Sequence, residues 1–405
     1  MKRTLIIGTY LPRQCGIATF SHDLYKSLVE NGKEAEIMAI SNGSEQNFPK
    51  QVVYSVQQHE KEEYISAGDW INQNDYDCCI LQHEFGIFGG SAGDHILPLL
   101  EQLTIPIISN LHTVLDSPSV DEKRVIKRLA ELSSKITVMT DRAIRVLTDV
   151  YHIPRSKIKL IPHGVPDFQI TAEEAKEYLG LEGKTVMLSF GLLGRSKGYE
   201  VAIEAVSKIK DDNFLYIILG ATHPNVLLHE GESYKNELIQ QAASLGLRGK
   251  VMFVNKYASD ALLQIYLKAC DIYVTPYPNV NQMSSGTLTF ALGAGAAVLS
   301  TPYWYAKDLL ADDRGCLFDF NDSEGLAECL NRLLSNPLLM NSYRNRALAY
   351  GKKMSWPNVG KQQIELIRSL MPKETSGVVK ALTVKNEFTQ LLPLKHQSQR
   401  RTANN

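Results

Sequence analysis

Two cations set among glycines are the first residues in this chain whose types and spacing can do chemistry. In the run Phe190-Gly191-Leu192-Leu193-Gly194-Arg195-Ser196-Lys197-Gly198, Arg195 and Lys197 sit where an apolar strand ends and a helix opens. A guanidinium and an ammonium there offer charge-assisted bonds, and the bare glycine backbone offers N–H donors, to a diphosphate. A solvated basic turn is the plainer reading of the same residues. A second place is the run NVNQMSSGTLTFALGAG from 279 to 295. Here Ser284, Ser285, Gly286 and Thr287 would present successive backbone N–H groups at a helix N-terminus, a second anion cradle facing the first. They also suit a well-capped buried helix, and both readings can hold together. A third is TYLPRQCGIATF, where Gly16 marks a helix start; it either lets a phosphate or sugar approach the backbone or serves a tight turn.

The histidines come next. His83 ends CCILQ and begins the run HEFGIFGG, with Glu84 and Phe85 beside it, while His112 ends IPIISNL ahead of Thr113. One histidine past a parallel strand is commonly a packing residue; two on neighbouring strand ends point to a site. His163 and Asp308 are weaker candidates.

These loops need strands and helices to hold them. Short β-branched runs (TLIIGTY, AEIMAI, CCILQH, IPIISNL, KITVMT, KIKLIP) alternate with amphipathic stretches, as in βαβ units on a parallel sheet. IPHGVP, from 161 to 166, interrupts the series with two prolines and a glycine and reads as a hinge. A second alternating series follows, through TVMLSFGLL, NFLYIILG, a long helix ending near Leu245, KVMFV, CDIYVTPY and AAVLSTPY. Beyond Asp319 the pattern turns helical, and from about Pro372 the chain becomes polar and basic. The expected plan is an N-terminal Rossmann-like domain over 1–165, a second over 166–355, a helix over 356–371 packing back on the first, and a polar, mobile tail over 372–405.

Composition narrows the class. A chain of 405 residues suits two domains, each with its own core. With 43 Lys and Arg against 44 Asp and Glu, the net charge of -1 gives no bulk field for nucleic acid or anionic lipid, so an anionic ligand must be held locally. The six cysteines have no metal-ligand spacing and suit a reducing compartment. No apolar run reaches membrane-spanning length and no leader peptide is evident, so a cytoplasmic protein is expected, with a peripheral membrane contact through the basic tail left open.

With the loops in place, the chain resembles family 4 of the retaining GT-B glycosyltransferases, over roughly residues 1 to 370. KIKLIPHGVP resembles the family's interdomain VIPNGVD segment and FGLLGRSKG its GRLxxxKG donor loop. KVMFVNKYASDALLQIYLKACDIYVTPYP is similar to the run from VxF through ADVxVxPS, and GAGAAVLSTPYWYAKDLL to ACGTPVIAS…PEVV. The resemblance implies an α/β fold of GT-B type, two Rossmann-like domains with parallel sheets and a cleft between them. It implies metal-independent transfer of a hexose, mannose favoured, from a nucleotide diphosphate sugar to a carbohydrate or glycoconjugate. No cofactor is expected beyond that donor.

Carried over by position, Lys197 is the diphosphate lysine and Arg195, displaced from the usual place at Leu192, fills the role of its partner. His112 is the histidine near the reacting sugar carbon, and Gly16 belongs to the glycine loop near donor and acceptor. Gly191, Gln282, Ser284, Ser285, Gly286, Thr287 and Asp308 fall on the donor side. The family's glutamate pair is replaced by Gln282 and Phe290, so the hydroxyls and Gln282 must hold those groups. The acceptor side falls to the N-terminal half, at His83, Glu84 and Phe85; Phe85 and Phe88 can stack on a sugar face or close a core. Two alternatives stay open, a non-catalytic nucleotide-sugar-binding GT-B protein and a GT-B epimerase. An oxidoreductase fits poorly because no GxGxxG follows the first strand.

Overall fold

The computed structural model describes residues 2–45 and 47–371; the tail expected from 372 lies outside the described residues. The first half runs β1 (Arg3–Gly8), α1 (Gly16–Glu30), β2 (Ala35–Ser41), β3 (Val52–Gln57), α2 (Lys61–Asn72), β4 (Tyr76–His83) and α3 (Ile96–Gln102). β5 (Ile107–Leu111), α4 (Val120–Leu132), β6 (Lys135–Val138), α5 (Asp141–Asp149) and β7 (Ile158–Leu160) complete it. The second half begins with α6 (Ala172–Leu179), β8 (Thr185–Phe190), α7 (Tyr199–Val206), β9 (Phe214–Leu219), α8 (Pro224–Glu230), α9 (Ser233–Ser244) and β10 (Val251–Val254). It continues with α10 (Asp260–Ala269), β11 (Ile272–Thr275), α11 (Gly286–Ala294), β12 (Ala297–Ser300), α12 (Trp304–Leu309) and β13 (Gly315–Leu317). Three helices close it: α13 (Ser323–Leu334), α14 (Pro337–Lys353) and α15 (Trp356–Leu370).

Two separate sheets result, ordered β3-β2-β1-β4-β5-β6-β7 and β10-β9-β8-β11-β12-β13. Their neighbouring strands pair in parallel. Central strands such as TLIIG and FLYIIL are buried along their length because helices cover both faces of a parallel sheet. In each sheet the strand order reverses once, between β1 and β4 and between β8 and β11. At such a reversal the following helices leave to opposite faces, and a crevice opens at the carboxyl ends of the strands. That rule puts the loops after β1, β4, β8 and β11 at the two crevices.

The single helix expected up to Leu245 is two helices, because Gly231 takes a left-handed φ of +63° between α8 and α9. That conformation ends a helix at little cost only for a residue without Cβ. The chain crosses between sheets just after β7. There Val165 N–H donates to the Met354 carbonyl at 2.8 Å and Trp356 N–H to the Val165 carbonyl at 3.0 Å, so the crossing and the return to α15 are tied together. Gly164 fits against the Trp356 indole so tightly that a Cβ there would lie 2.1 Å from the ring. α15 packs on α1: the Ser27 hydroxyl donates to the Trp356 carbonyl, and Asn31 Nδ2 donates to the Pro357 carbonyl at 3.1 Å.

Candidate active site

A cavity of about 1080 Å³ lies where the start of α1 faces the loops after β8, β10 and β11. Its size lies at the upper end of the range of small-molecule sites. One wall is a face of α1. Gly16, Thr19, Phe20, Asp23, Lys26, Ser27 and Glu30 recur at helical spacing and all line the cavity.

The opposite wall is built by the loop after β8 and the start of α11. Arg195 and Lys197 form one short turn, closed by Gly198 at a φ of +63° with the Pro276 carbonyl 2.2 Å from where a Cβ would stand. Only glycine fits there. Lys197 Nζ lies 4.3 Å from the centre of the Tyr277 ring, a cation–π contact that holds the ammonium over the aromatic face. The Tyr277 hydroxyl is 3.0 Å from Thr287 Oγ1, which is 3.1 Å from Ser285 Oγ, and Ser285 caps α11 by accepting from Leu288 N–H at 3.3 Å. The two loops singled out as anion cradles are thus physically joined through Tyr277. Arg195 is engaged differently: its guanidinium grips both carboxylate oxygens of Glu237, at 2.7 and 2.8 Å, and reaches Glu230 at 3.3 Å. The bond to Glu237 raises its pKa first of all, so the cation is permanent and already engaged by a carboxylate.

The N-terminal half contributes buried, neutral imidazoles. His112 Nε2 and Asn110 Nδ2 both lie 2.9 Å from Gln82 Oε1, which assigns the proton of His112 to Nε2. Burial, with the charges of His163 and His83 adding to it, lowers its pKa to about 3, and burial lowers that of His163 to about 4. His163 Nδ1 lies 2.9 Å from the Gly164 carbonyl, and its ring meets Phe20, Phe290 and Trp356. Ser284 Oγ donates to the His112 carbonyl at 3.2 Å and so bonds the second sheet's loop to the first sheet's strand end.

Of the residues picked from sequence, Gly16, Gly191, Arg195, Lys197, Gly286 and Thr287 stand together on the cavity wall. His112, Gln282, Ser284 and Ser285 support that wall without lining it; Gln282 Nε2 donates to the Ser284 carbonyl at 3.0 Å. Asp308 is on α12, away from the wall, and its Oδ2 has no hydrogen-bond partner among the described residues. His83, Glu84 and Phe85 also lie off the wall. His83 is fully buried between Phe85 and Phe88, with neither ring nitrogen partnered among the described residues. Glu84 accepts from Thr113 Oγ1 at 2.6 Å and from Phe85 N–H at 3.1 Å, and burial raises its pKa. Phe290 takes a place on the wall, stacked on Phe190. Among the described residues no group of three His, Cys, Asp or Glu is arranged to hold a metal ion, and no helix is long and apolar enough to cross a membrane.

Asp23, Trp356 and Tyr277 were not singled out from the sequence. The helical spacing Gly16-Thr19-Asp23 was the available signal for Asp23; Trp356 and Tyr277 acquire their roles only through tertiary contacts. Burial, then the charge of Asp260 across the cleft, raises the Asp23 carboxyl to about 7, with Lys26 opposing. The folded state therefore holds a proton that the unfolded state has lost above about pH 4. The cost of ionising Asp23 accumulates as pH rises to 7. Asp23→Asn should accordingly raise the thermal midpoint by several degrees at pH 8 and hardly at all at pH 4. An equal effect at both pH values contradicts the burial argument.

Two parallel-sheet Rossmann-like domains around a shared cleft define the GT-B fold. Solved structures carry the same architecture. The Anabaena protein HepE in complex with UDP is 17% identical, with 91% of this chain and 100% of that one covered at a TM-score of 0.74. A glycosyltransferase from Rickettsia africae is 16% identical, with 92% and 99% covered at 0.74. Residues 171–354 match the family model described as glycosyl transferases group 1. Similar curated proteins include a D-inositol 3-phosphate glycosyltransferase of Corynebacterium urealyticum, 25% identical over 64% of this chain and 63% of its own length. A phosphatidyl-myo-inositol mannosyltransferase of Mycolicibacterium smegmatis is 28% identical over 50% of this chain and 49% of its own. The chain thus matches less than two thirds of the length of these relatives.

Proposed function

We propose that this chain is a metal-independent, retaining glycosyltransferase that moves a hexose, with mannose favoured, from a nucleoside diphosphate sugar to a carbohydrate or glycoconjugate acceptor. The observation that carries the reading is the continuous contact from Lys197 through Tyr277 to Thr287 and Ser285, which sets an ammonium and a helix N-terminus on one cavity wall opposite Gly16. Such a wall stabilises charge that grows on a departing diphosphate. In the reaction proposed, the bond from the anomeric carbon to the β-phosphate oxygen breaks and the acceptor oxygen bonds on the same face. The acceptor proton passes to the departing phosphate. Lys197, with Arg195 released from Glu237, supplies the charge that a metal supplies elsewhere. The cytoplasm is the compartment in which nucleotide-sugar donors of this kind would be met.

In this reading His112, neutral and oriented by Gln82, backs the cavity wall from behind, and His83, Glu84 and Phe85, which lie off that wall, carry no part of the donor site. A second reading has its own support. Phe290, stacked on Phe190, and Gln282 stand where the resemblance places two acids, which favours a nucleotide-sugar-binding protein without turnover.

A thermal-shift series with nucleoside diphosphates and their sugars tests the donor site common to both readings. A ligand at 100 times its dissociation constant should add about 2.7 kcal/mol of stability. Lack of a shift with every uridine and guanosine diphosphate at millimolar concentration contradicts the assignment of the cavity.

A further inference from the structure

Away from the cleft, two thiols approach each other on the second domain. Cys316 on β13 and Cys329 on α13 have their sulfurs 3.2 Å apart, and both residues are partly exposed. Of the other described cysteines, Cys15 is partly exposed at the cleft beside the Thr9 hydroxyl, while Cys78, Cys79 and Cys270 are buried and burial raises their thiol pKa values. A third group completes the arrangement. Arg332, one turn beyond Cys329 on α13, places Nη2 3.1 Å from Cys316 Sγ and 3.4 Å from the Tyr343 hydroxyl.

We propose that Cys316 and Cys329 form a reversible thiol-oxidation site that closes to an intramolecular disulfide on reaction with a small-molecule disulfide. The geometry assigns separate parts to the two thiols. Cys316, with the S–H of Cys329 and the Arg332 guanidinium facing its sulfur, has its pKa lowered, so it is the thiol of the pair that ionises first. That thiolate attacks one sulfur of the external disulfide, forms a mixed disulfide and releases one thiolate. Cys329 then loses its proton and attacks the Cys316 sulfur, expelling the second thiolate. Two protein thiols are oxidised, the external disulfide is reduced to two thiols, and the two protons end on the released thiols. The protein becomes lighter by two hydrogens.

The sulfurs need only a small approach to reach bonding distance, and both lie on packed elements: β13 pairs with β12, with Cys316 opposite Leu299, and α13 contacts α14. The cross-link would tie the sheet edge to the helix above it. It also bears on β12, whose end Ser300 bonds to Thr275 at 2.8 Å beneath the Tyr277 and Tyr303 stack.

The folded full-length chain, treated with oxidised glutathione at pH 7, alkylated and digested, tests the proposal by peptide mass spectrometry. A cross-linked peptide joining Cys316 to Cys329 is expected, reversed by dithiothreitol. In Cys329→Ser, glutathione should stay attached at Cys316. In Arg332→Gln, closure at pH 7 should slow several-fold and recover at pH 9, a response that loss of packing alone does not give. Recovery of both cysteines alkylated from oxidised folded protein, or a cross-link that forms only after denaturation, would overturn the proposal.

Discussion

Lys197→Ala is expected to lower turnover about 100-fold or more, with a smaller effect on donor affinity measured as KM or by direct binding. The asymmetry follows from where charge changes. In the donor complex proposed, the diphosphate already carries negative charge, shared among backbone N–H groups at the start of α11 and the cations of the loop after β8. As the bond to the sugar breaks, further charge collects on the β-phosphate oxygen. A preorganised ammonium near that oxygen stabilises this increment more than the ground state, and loss of one such contact costs a factor of about 100 to 1000 in rate. The lysine is preorganised here by the Tyr277 face at 4.3 Å, on a turn that Gly198 closes. Steady-state kinetics with a single donor check it. Unchanged turnover in the variant removes Lys197 from the mechanism and, with it, the argument for the donor wall.

Trp356→Ala is expected to destabilise the folded chain by about 3–5 kcal/mol, the range for removing a large aromatic from a packed interior. The indole is buried to 7% exposure and meets Phe20 on α1 at 5.1 Å and His163 at 5.8 Å. It also lies flat enough against Gly164 to forbid a Cβ there. Removing it opens a void where the crossing after β7, the return to α15 and the wall of the cavity meet. Donor affinity should fall together with stability, because Trp356 and Pro357 line the cavity. A chemical-denaturation series checks the first effect; a loss under about 1 kcal/mol would mean that the neighbouring elements collapse into the space.

Much of this architecture is legible in the sequence, for identifiable reasons. Fully buried parallel strands must be continuous apolar runs, so TLIIG, CCILQ, FLYIIL and CDIYV announce themselves, and glycine-rich turns after them mark crevice loops. Lys197, Gly286 and Thr287 were picked because a diphosphate site needs cations and backbone donors at strand ends, and they fall on the wall of one cavity. The rest depends on contacts between distant segments. Nothing near Arg195 in sequence says that Glu237, on α9, will hold its guanidinium. Nothing local says that Tyr277 will bridge two loops or that the Trp356 indole will seat against Gly164. The long helix expected up to Leu245 failed on one residue, Gly231, whose left-handed conformation outweighs the helical pattern around it.

The acids expected from the family's pattern are replaced by Gln282 and Phe290, so turnover itself is the question that divides the two readings of the cleft. Incubation of the chain with uridine and guanosine diphosphate sugars and a panel of glycoside, inositol and lipid-linked acceptors, followed by NMR of the products, puts that question directly. The account predicts nucleoside diphosphate released in step with a new glycoside of unchanged anomeric configuration, and no release without acceptor beyond slow hydrolysis. Saturable nucleotide-sugar binding with intact donor across the whole panel would contradict it and leave a binding protein in its place.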